Sequence, residues 1–127
     1  MIVADASWVI ALSDPADPHH AAAVALNQAT IDEVVVLHPI TLAECLVGPA
    51  SSGLLDEAAG ALRSAFTIAS VDVNAPLRWA ALRAATGLRL PDSIVLDTAV
   101  VGGANAILTF DQQLAVVAMG RSIDCPT

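Results

Sequence analysis

The chain contains no lysine and no tyrosine, and aromatic residues make up only 3% of it. Charged residues are also scarce, at 14%, and they are lopsided: thirteen acids face five arginines, for a formal charge of -8. Each shortage excludes something. Without a basic surface the chain cannot grip nucleic acid nonspecifically through its phosphates. With so few aromatics, the core must be built from Ala, Val, Leu and Ile. The supply is ample, because hydrophobic residues reach 56%, far above the level of a disordered chain. The two cysteines, Cys45 and Cys125, are isolated and lack the spacing of zinc ligands, which argues for free thiols in a reducing cytosol. No apolar run reaches the length of a membrane span. The start, Met1-Ile2-Val3-Ala4-Asp5, has neither a basic region nor a cleavage-like site, so a signal peptide is not expected and the predicted location is cytoplasmic. No Ser-His-Asp arrangement and no Gly-rich phosphate loop is present.

At 127 residues the expectation is one domain, 1–127. Ile2-Val3-Ala4 reads as a short buried strand, followed by an apolar helical segment over Ser7–Leu12. The run SDPADP over Ser13–Pro18 is turn chemistry, and an Ala-rich helix follows over His19–Thr30. The β-branched run Val34–Leu37 predicts a second buried strand. Pro39–Val47 predicts a helix that stops at Gly48-Pro49, and Leu54–Phe66 a further helix. Ile68–Val71 reads as a strand, Asn74–Ala85 as a helix, and Pro91–Val101 as a helix closed by Gly102-Gly103. Ala106–Leu108 is a strand, Asp111 starts a short helix, and Ile123 opens a last edge strand. Strands alternating with helices predict an α/β fold, a sandwich with a mostly parallel central sheet.

Four acids stand at the junctions of these elements: Asp5, Glu44, Asp92 and Asp111. Each has an ordinary explanation. Asp5 and Asp111 suit helix N-caps. Glu44 lies three residues after Thr41, the spacing of a capping box. Asp92 suits the positive end of a helix dipole. Taken together they say more. Asp5, Glu44 and Asp111 each follow a strand of a parallel sheet, which places them on one edge, where open α/β sheets bind ligands. Asp92 joins them if its helix starts at that edge. Carboxylates gathered there repel one another, so at least one pKa must rise unless a cation intervenes. No lysine exists to supply it. Hard divalent cations such as Mg2+ or Mn2+ suit such a set of oxygens.

At these motifs the chain resembles the PIN-domain ribonucleases, and among them the VapC-type toxins of toxin–antitoxin pairs. The resemblance covers nearly the whole chain. Ile2-Val3-Ala4-Asp5-Ala6-Ser7 is similar to the family's first strand, acid and small hydroxyl residue. Thr41-Leu42-Ala43-Glu44 resembles its glutamate-bearing helix, Leu90-Pro91-Asp92-Ser93-Ile94 its third acidic motif, and Ile107-Leu108-Thr109-Phe110-Asp111 its last. The resemblance implies a three-layer α/β/α sandwich. It also implies a metal-dependent endoribonuclease whose Mg2+ or Mn2+ is held by Asp5, Glu44, Asp92 and Asp111, with Ser7 and Thr109 orienting ligands and water. The partners it implies are an RNA substrate, a cognate antitoxin covering the acidic site with a basic side chain, and a second copy of the chain in a homodimer. Contact with RNA falls to the arginines, with Arg83 and Arg89, just before the Asp92 motif, the better placed. Asp97, five residues beyond Asp92, points away from it on a helix, and is expected either behind the ligands or on the surface. His19 and His20 are expected to start or pack a helix.

Three other readings compete. A phosphoryl-accepting receiver domain needs a lysine near its last strands, and there is none. A phosphatase with an Asp-x-Asp nucleophile fails because Asp5 is followed by Ala6-Ser7. A catalytically silent PIN-like domain that only binds RNA or protein is the remaining alternative, and the presence of all four acids argues against it.

Overall fold

Four short runs become strands, and the three that are apolar throughout are largely buried because helices cover the sheet on both faces, while the edge strand at Thr67–Ile68 stays partly open. A computed structural model describes residues 1–127. The order is β1 (Ile2–Ala4), α1 (Ala6–Ser13), α2 (His20–Ala29), β2 (Val35–Leu37), α3 (Pro39–Ser51), α4 (Leu55–Ala65), β3 (Thr67–Ile68), α5 (Ala75–Thr86), α6 (Leu90–Gly102), β4 (Ala106–Leu108) and α7 (Gln112–Gly120). The sheet runs β3-β2-β1-β4 with every pair parallel. β1 is therefore central, with Ile2 opposite both Val35 and Ala106.

The period of two in β1 divides the core. Ile2 and Ala4 turn to a cluster with Trp8, Val9, Ala23, Leu37 and Cys45, from α1, α2, β2 and α3. Val3 turns to the other, with Leu88, Val95, Leu96, Ile107 and Leu114, where α6 and α7 lie. This is the expected α/β/α sandwich. Trp8, Leu37, Leu96, Ile107 and Leu108 are fully buried, and each of the aliphatic side chains among them contributes about 1.5–3 kcal/mol.

Three elements differ from the sequence reading. α3 does not stop at Gly48-Pro49 but runs through them to Ser51. Proline forfeits only one intrahelical bond this close to the end. The stop is Gly53, in the left-handed region at φ 73°, where Gly53 N–H donates to Ala50 O and Leu54 N–H to Pro49 O, a Schellman ending. β3 is Thr67–Ile68 rather than Ile68–Val71, since an edge strand pairs on one side only and leaves the sheet early. The last edge strand at Ile123 is reduced to a single parallel bridge between Asp124 and Ala106.

Candidate active site

The carboxyl ends of β1, β2 and β4 share one edge of the sheet, and the helices that follow start there. Asp5 is the N-cap of α1 and is buried. Its backbone N–H continues the ladder by donating to Leu108 O at 2.9 Å, which fixes it against β4. Both carboxyl oxygens are held. Oδ1 accepts from Ala6 N–H at 2.8 Å, and Oδ2 accepts from Ser7 Oγ at 2.9 Å and Thr109 Oγ1 at 2.8 Å. The hydroxyls are themselves anchored. Phe110 N–H donates to Ser7 Oγ and Asp111 N–H to Thr109 Oγ1, both at 3.0 Å.

Asp111 is the N-cap of α7, and its Oδ1 accepts from Leu114 N–H at 2.9 Å. That leaves Oδ2 to face the site. Asp92 lies in the first turn of α6 and is 2% exposed. α6 packs against β1, α3, α5 and α7, so its N-terminus reaches the same edge. Glu44 stands one turn further into its helix than the capping-box alternative requires. The cap of α3 is His38, whose Nδ1 accepts from Ile40 N–H at 3.0 Å, while Thr41 is buried. Glu44 is thereby free of capping and exposed at the rim.

The four acids sense one another. Partial burial at the rim raises the Glu44 pKa, and the charges of Asp5 and Asp92 raise it further against the pull of Arg89. Burial also raises the Asp92 pKa; the hydrogen bond from Arg89 opposes this, and Asp111 and Asp5 add to the rise. Neighbouring Cys45 is pushed up to about 12, by burial first and then by Glu44 and Asp5, so its thiol is inert. Oxygen-only donors with an excess of negative charge fit a hard divalent cation. As the side chains stand, with Arg89 against Asp92 and Asp111, no three of them converge closely enough to hold an ion. The positive charge at the site is Arg89, whose Nε donates to Asp92 Oδ2 at 3.2 Å and Nη2 to Asp111 Oδ2 at 3.4 Å.

The other residues singled out in the sequence divide cleanly. Arg89 is in the site, whereas Arg83 is exposed in the last turn of α5. Asp97 is neither behind the acids nor on the surface. It is 5% exposed and accepts from Arg78 Nε at 2.8 Å, Arg78 Nη2 at 3.2 Å and Trp79 Nε1 at 3.1 Å. Its turn of α6 faces α5, where an arginine met it. His20 Nδ1 lies 2.8 Å from Ala11 O, and His19 stacks on Phe110 with ring centroids 4.4 Å apart. That stacked pair, flanked by Thr109 and Asp111 in sequence, was not foreseen. A phenylalanine between two site residues was the available signal.

Beside Glu44 an apolar groove of about 490 Å³ opens between α1, α3 and α4, lined by Val9, Ile10, Cys45, Pro49 and Leu62 among others.

A family model described as PIN domain matches residues 2–119. Three solved structures are similar. Mycobacterium tuberculosis VapC20, a sarcin–ricin loop cleaving toxin, is 18% identical with a TM-score of 0.76, over 92% of this chain and 95% of that one. A toxin–antitoxin complex from Klebsiella pneumoniae is 26% identical with a TM-score of 0.69, over 87% of both chains. A protein of Pyrobaculum aerophilum is 16% identical with a TM-score of 0.63, over 91% of this chain and 82% of that one. No curated protein matches the sequence significantly.

Proposed function

The chain belongs to the PIN-domain family, and from that membership we propose that it is a divalent-metal-dependent endoribonuclease, the toxin of a toxin–antitoxin pair. The observation that carries this reading is the gathering of Asp5, Glu44, Asp92 and Asp111 at one sheet edge, where burial first and neighbouring acids second raise the proton affinity of Glu44 and Asp92. Similarity to a toxin–antitoxin complex at 26% identity supports the pairing.

Asp5, Asp92, Asp111 and Glu44 would hold Mg2+ or Mn2+. When bound, such an ion lowers the pKa of water and stabilises charge on the oxygens of a phosphodiester. The protein supplies the rest. Ser7, Thr109 and Ala6 N–H hold the Asp5 carboxylate in one orientation. Glu44 or Asp92, each with its proton affinity raised, would accept a proton from the attacking water. Arg89 and, further out, Arg83 offer positive charge to an RNA backbone that the chain as a whole, at -8, repels.

The partner in this reading is an antitoxin. The groove next to Glu44 suits an apolar segment of it, with a basic side chain reaching the carboxylates. A homodimer is also part of the reading, on the exposed side chains of Val100, Val101, Val116 and Met119. No helix is long and apolar enough to cross a membrane.

The test is cleavage of RNA in vitro with and without EDTA, by the wild type and Asp5→Asn. Cleavage that EDTA stops and Mn2+ restores, and that Asp5→Asn lacks while still folding, supports the reading. Cleavage indifferent to chelation would refute metal dependence. A protein that binds neither Mn2+ nor cleaves RNA would be the silent binding module instead.

A further inference from the structure

Arg89 holds an unusual place. It is the N-cap residue of α6 but makes no capping bond. Gly87, left-handed at φ 72°, ends α5, and fully buried Leu88 pins the chain, so Arg89 is delivered to the mouth of the site by a link of fixed path. Its guanidinium then spans two acids, through Asp92 Oδ2 and Asp111 Oδ2.

The oxygens it takes are the ones that matter. Asp111 has already given Oδ1 to the Leu114 amide, so Oδ2 is its remaining donor. Asp5 has both oxygens engaged by hydroxyls and an amide. Glu44 and Asp92 Oδ1 carry no hydrogen bond, but an ion that also draws on Asp92 Oδ2 or Asp111 Oδ2 competes with Arg89 for it. The grip is weak enough to lose. Contacts of 3.2 and 3.4 Å, one nitrogen to each acid, are long for charge-assisted bonds, and the side chain is 69% exposed. It has room to swing out.

We propose that Arg89 is a built-in counter-ion that competes with divalent metal for the acidic site and so sets the metal concentration at which the site fills. This rests on the metal-dependent reading above and adds a regulator to it. Without metal, the guanidinium offsets the repulsion among the acids. With metal, it is displaced outward into the solvent that already surrounds most of it.

The experiment is calorimetric titration of Mn2+ into the wild type, Arg89→Gln, Arg89→Ala and Arg83→Gln, at low salt and without RNA. Circular dichroism checks that each is folded. Arg89→Gln and Arg89→Ala should bind Mn2+ roughly three- to tenfold more tightly than the wild type. Arg83→Gln removes the same charge away from the site and should leave the affinity within about twofold. Equal or weaker binding by both Arg89 variants would overturn the proposal, as would the same tightening in Arg83→Gln, which would reduce the effect to net charge. Wild type that binds while the Arg89 variants bind no better refutes the counter-ion alone. Absence of binding in all four proteins refutes the metal reading and the counter-ion with it.

Discussion

Helix α6 carries two buried carboxylates five residues apart, and their surroundings are opposite. Asp97 is saturated. Arg78 approaches it with two nitrogens and Trp79 adds its indole N–H, while the same guanidinium closes a bidentate pair with Asp72 at 3.1 and 2.7 Å. Asp92, as deeply buried, receives one nitrogen of an exposed arginine at 3.2 Å and faces three other acids. A protein that can satisfy Asp97 so fully could have done so for Asp92. Leaving a buried carboxylate short of donors costs stability, and groups kept in that condition cluster where chemistry is done. The contrast separates a saturated clamp from a carboxylate left short of donors, without appeal to sequence motifs.

The largest expected effect tests that separation directly. Asp92→Asn should lower RNA cleavage by about a hundredfold or more. Its melting temperature should stay close to the wild type, because a charge that the fold holds at a raised pKa is a charge the fold gains by losing. Asp97→Ala should do the reverse. Removing a buried carboxylate with three donors should cost about 2–4 kcal/mol in urea unfolding. Cleavage per folded molecule should change far less than in Asp92→Asn. If Asp97→Ala lost activity without losing stability, the division between clamp and site would be wrong.

Much of this was legible in the sequence, and the rest was hidden for definite reasons. Strand–helix alternation put Asp5, Glu44 and Asp111 on one edge, because a parallel sheet leaves no other place for residues that follow its strands. Pro91 and Asp92 marked the start of α6, since proline and an acid both suit a first turn. The partners of Asp97 could not be seen, because Arg78 is nineteen residues away and meets it only when α5 packs on α6. Arg89 was legible as a neighbour of the Asp92 motif. That it would span Asp92 and Asp111 depends on a rotamer and on β4 lying beside β1, neither of which has a local signature. α3 continues through Gly48-Pro49, against the local signal, because the Schellman ending at Gly53 outweighs one absent N–H.

A medium effect concerns pH and the edge of the clamp. His38 caps α3 through Nδ1 and meets Trp79 edge-on at 5.4 Å. Burial lowers its pKa below 6.5, against the opposing charge of Asp97. The unfolded chain therefore takes up a proton that the folded one refuses, and His38 withdraws stability as pH falls below about 6.5, until its own folded pKa is reached. Protonation would also remove the lone pair that accepts from Ile40. His38→Asn keeps a capping side chain and removes the titration. The wild type minus variant difference in urea stability should therefore shrink or turn negative between pH 7 and pH 5, by about 1 kcal/mol. A difference flat across that range would free His38 of any part in acid sensitivity.

The smallest effect asks where in the clamp the stability resides. Asp72 sits on the surface side of Arg78 and is half exposed, while Asp97 is on the buried side. Arg78 holds the Asp72 pKa below the usual carboxylate range, so its contribution is present at neutral pH and is lost only as pH falls through that lowered value. Solvent screens such a pair, and its loss still leaves Arg78 two bonds to Asp97. Asp72→Asn should therefore lower the melting temperature by only about 1–3 °C at neutral pH, with the decrement fading in high salt and vanishing in strong acid. A loss as large as that of Asp97→Ala would move the weight of the clamp to the surface and erase the contrast between its buried carboxylate and Asp92. A small, salt-sensitive loss would sharpen it: the same guanidinium would be strong where water is excluded and weak where it is not, and Arg89, open to solvent at the mouth of the acidic site, would belong to the weak kind.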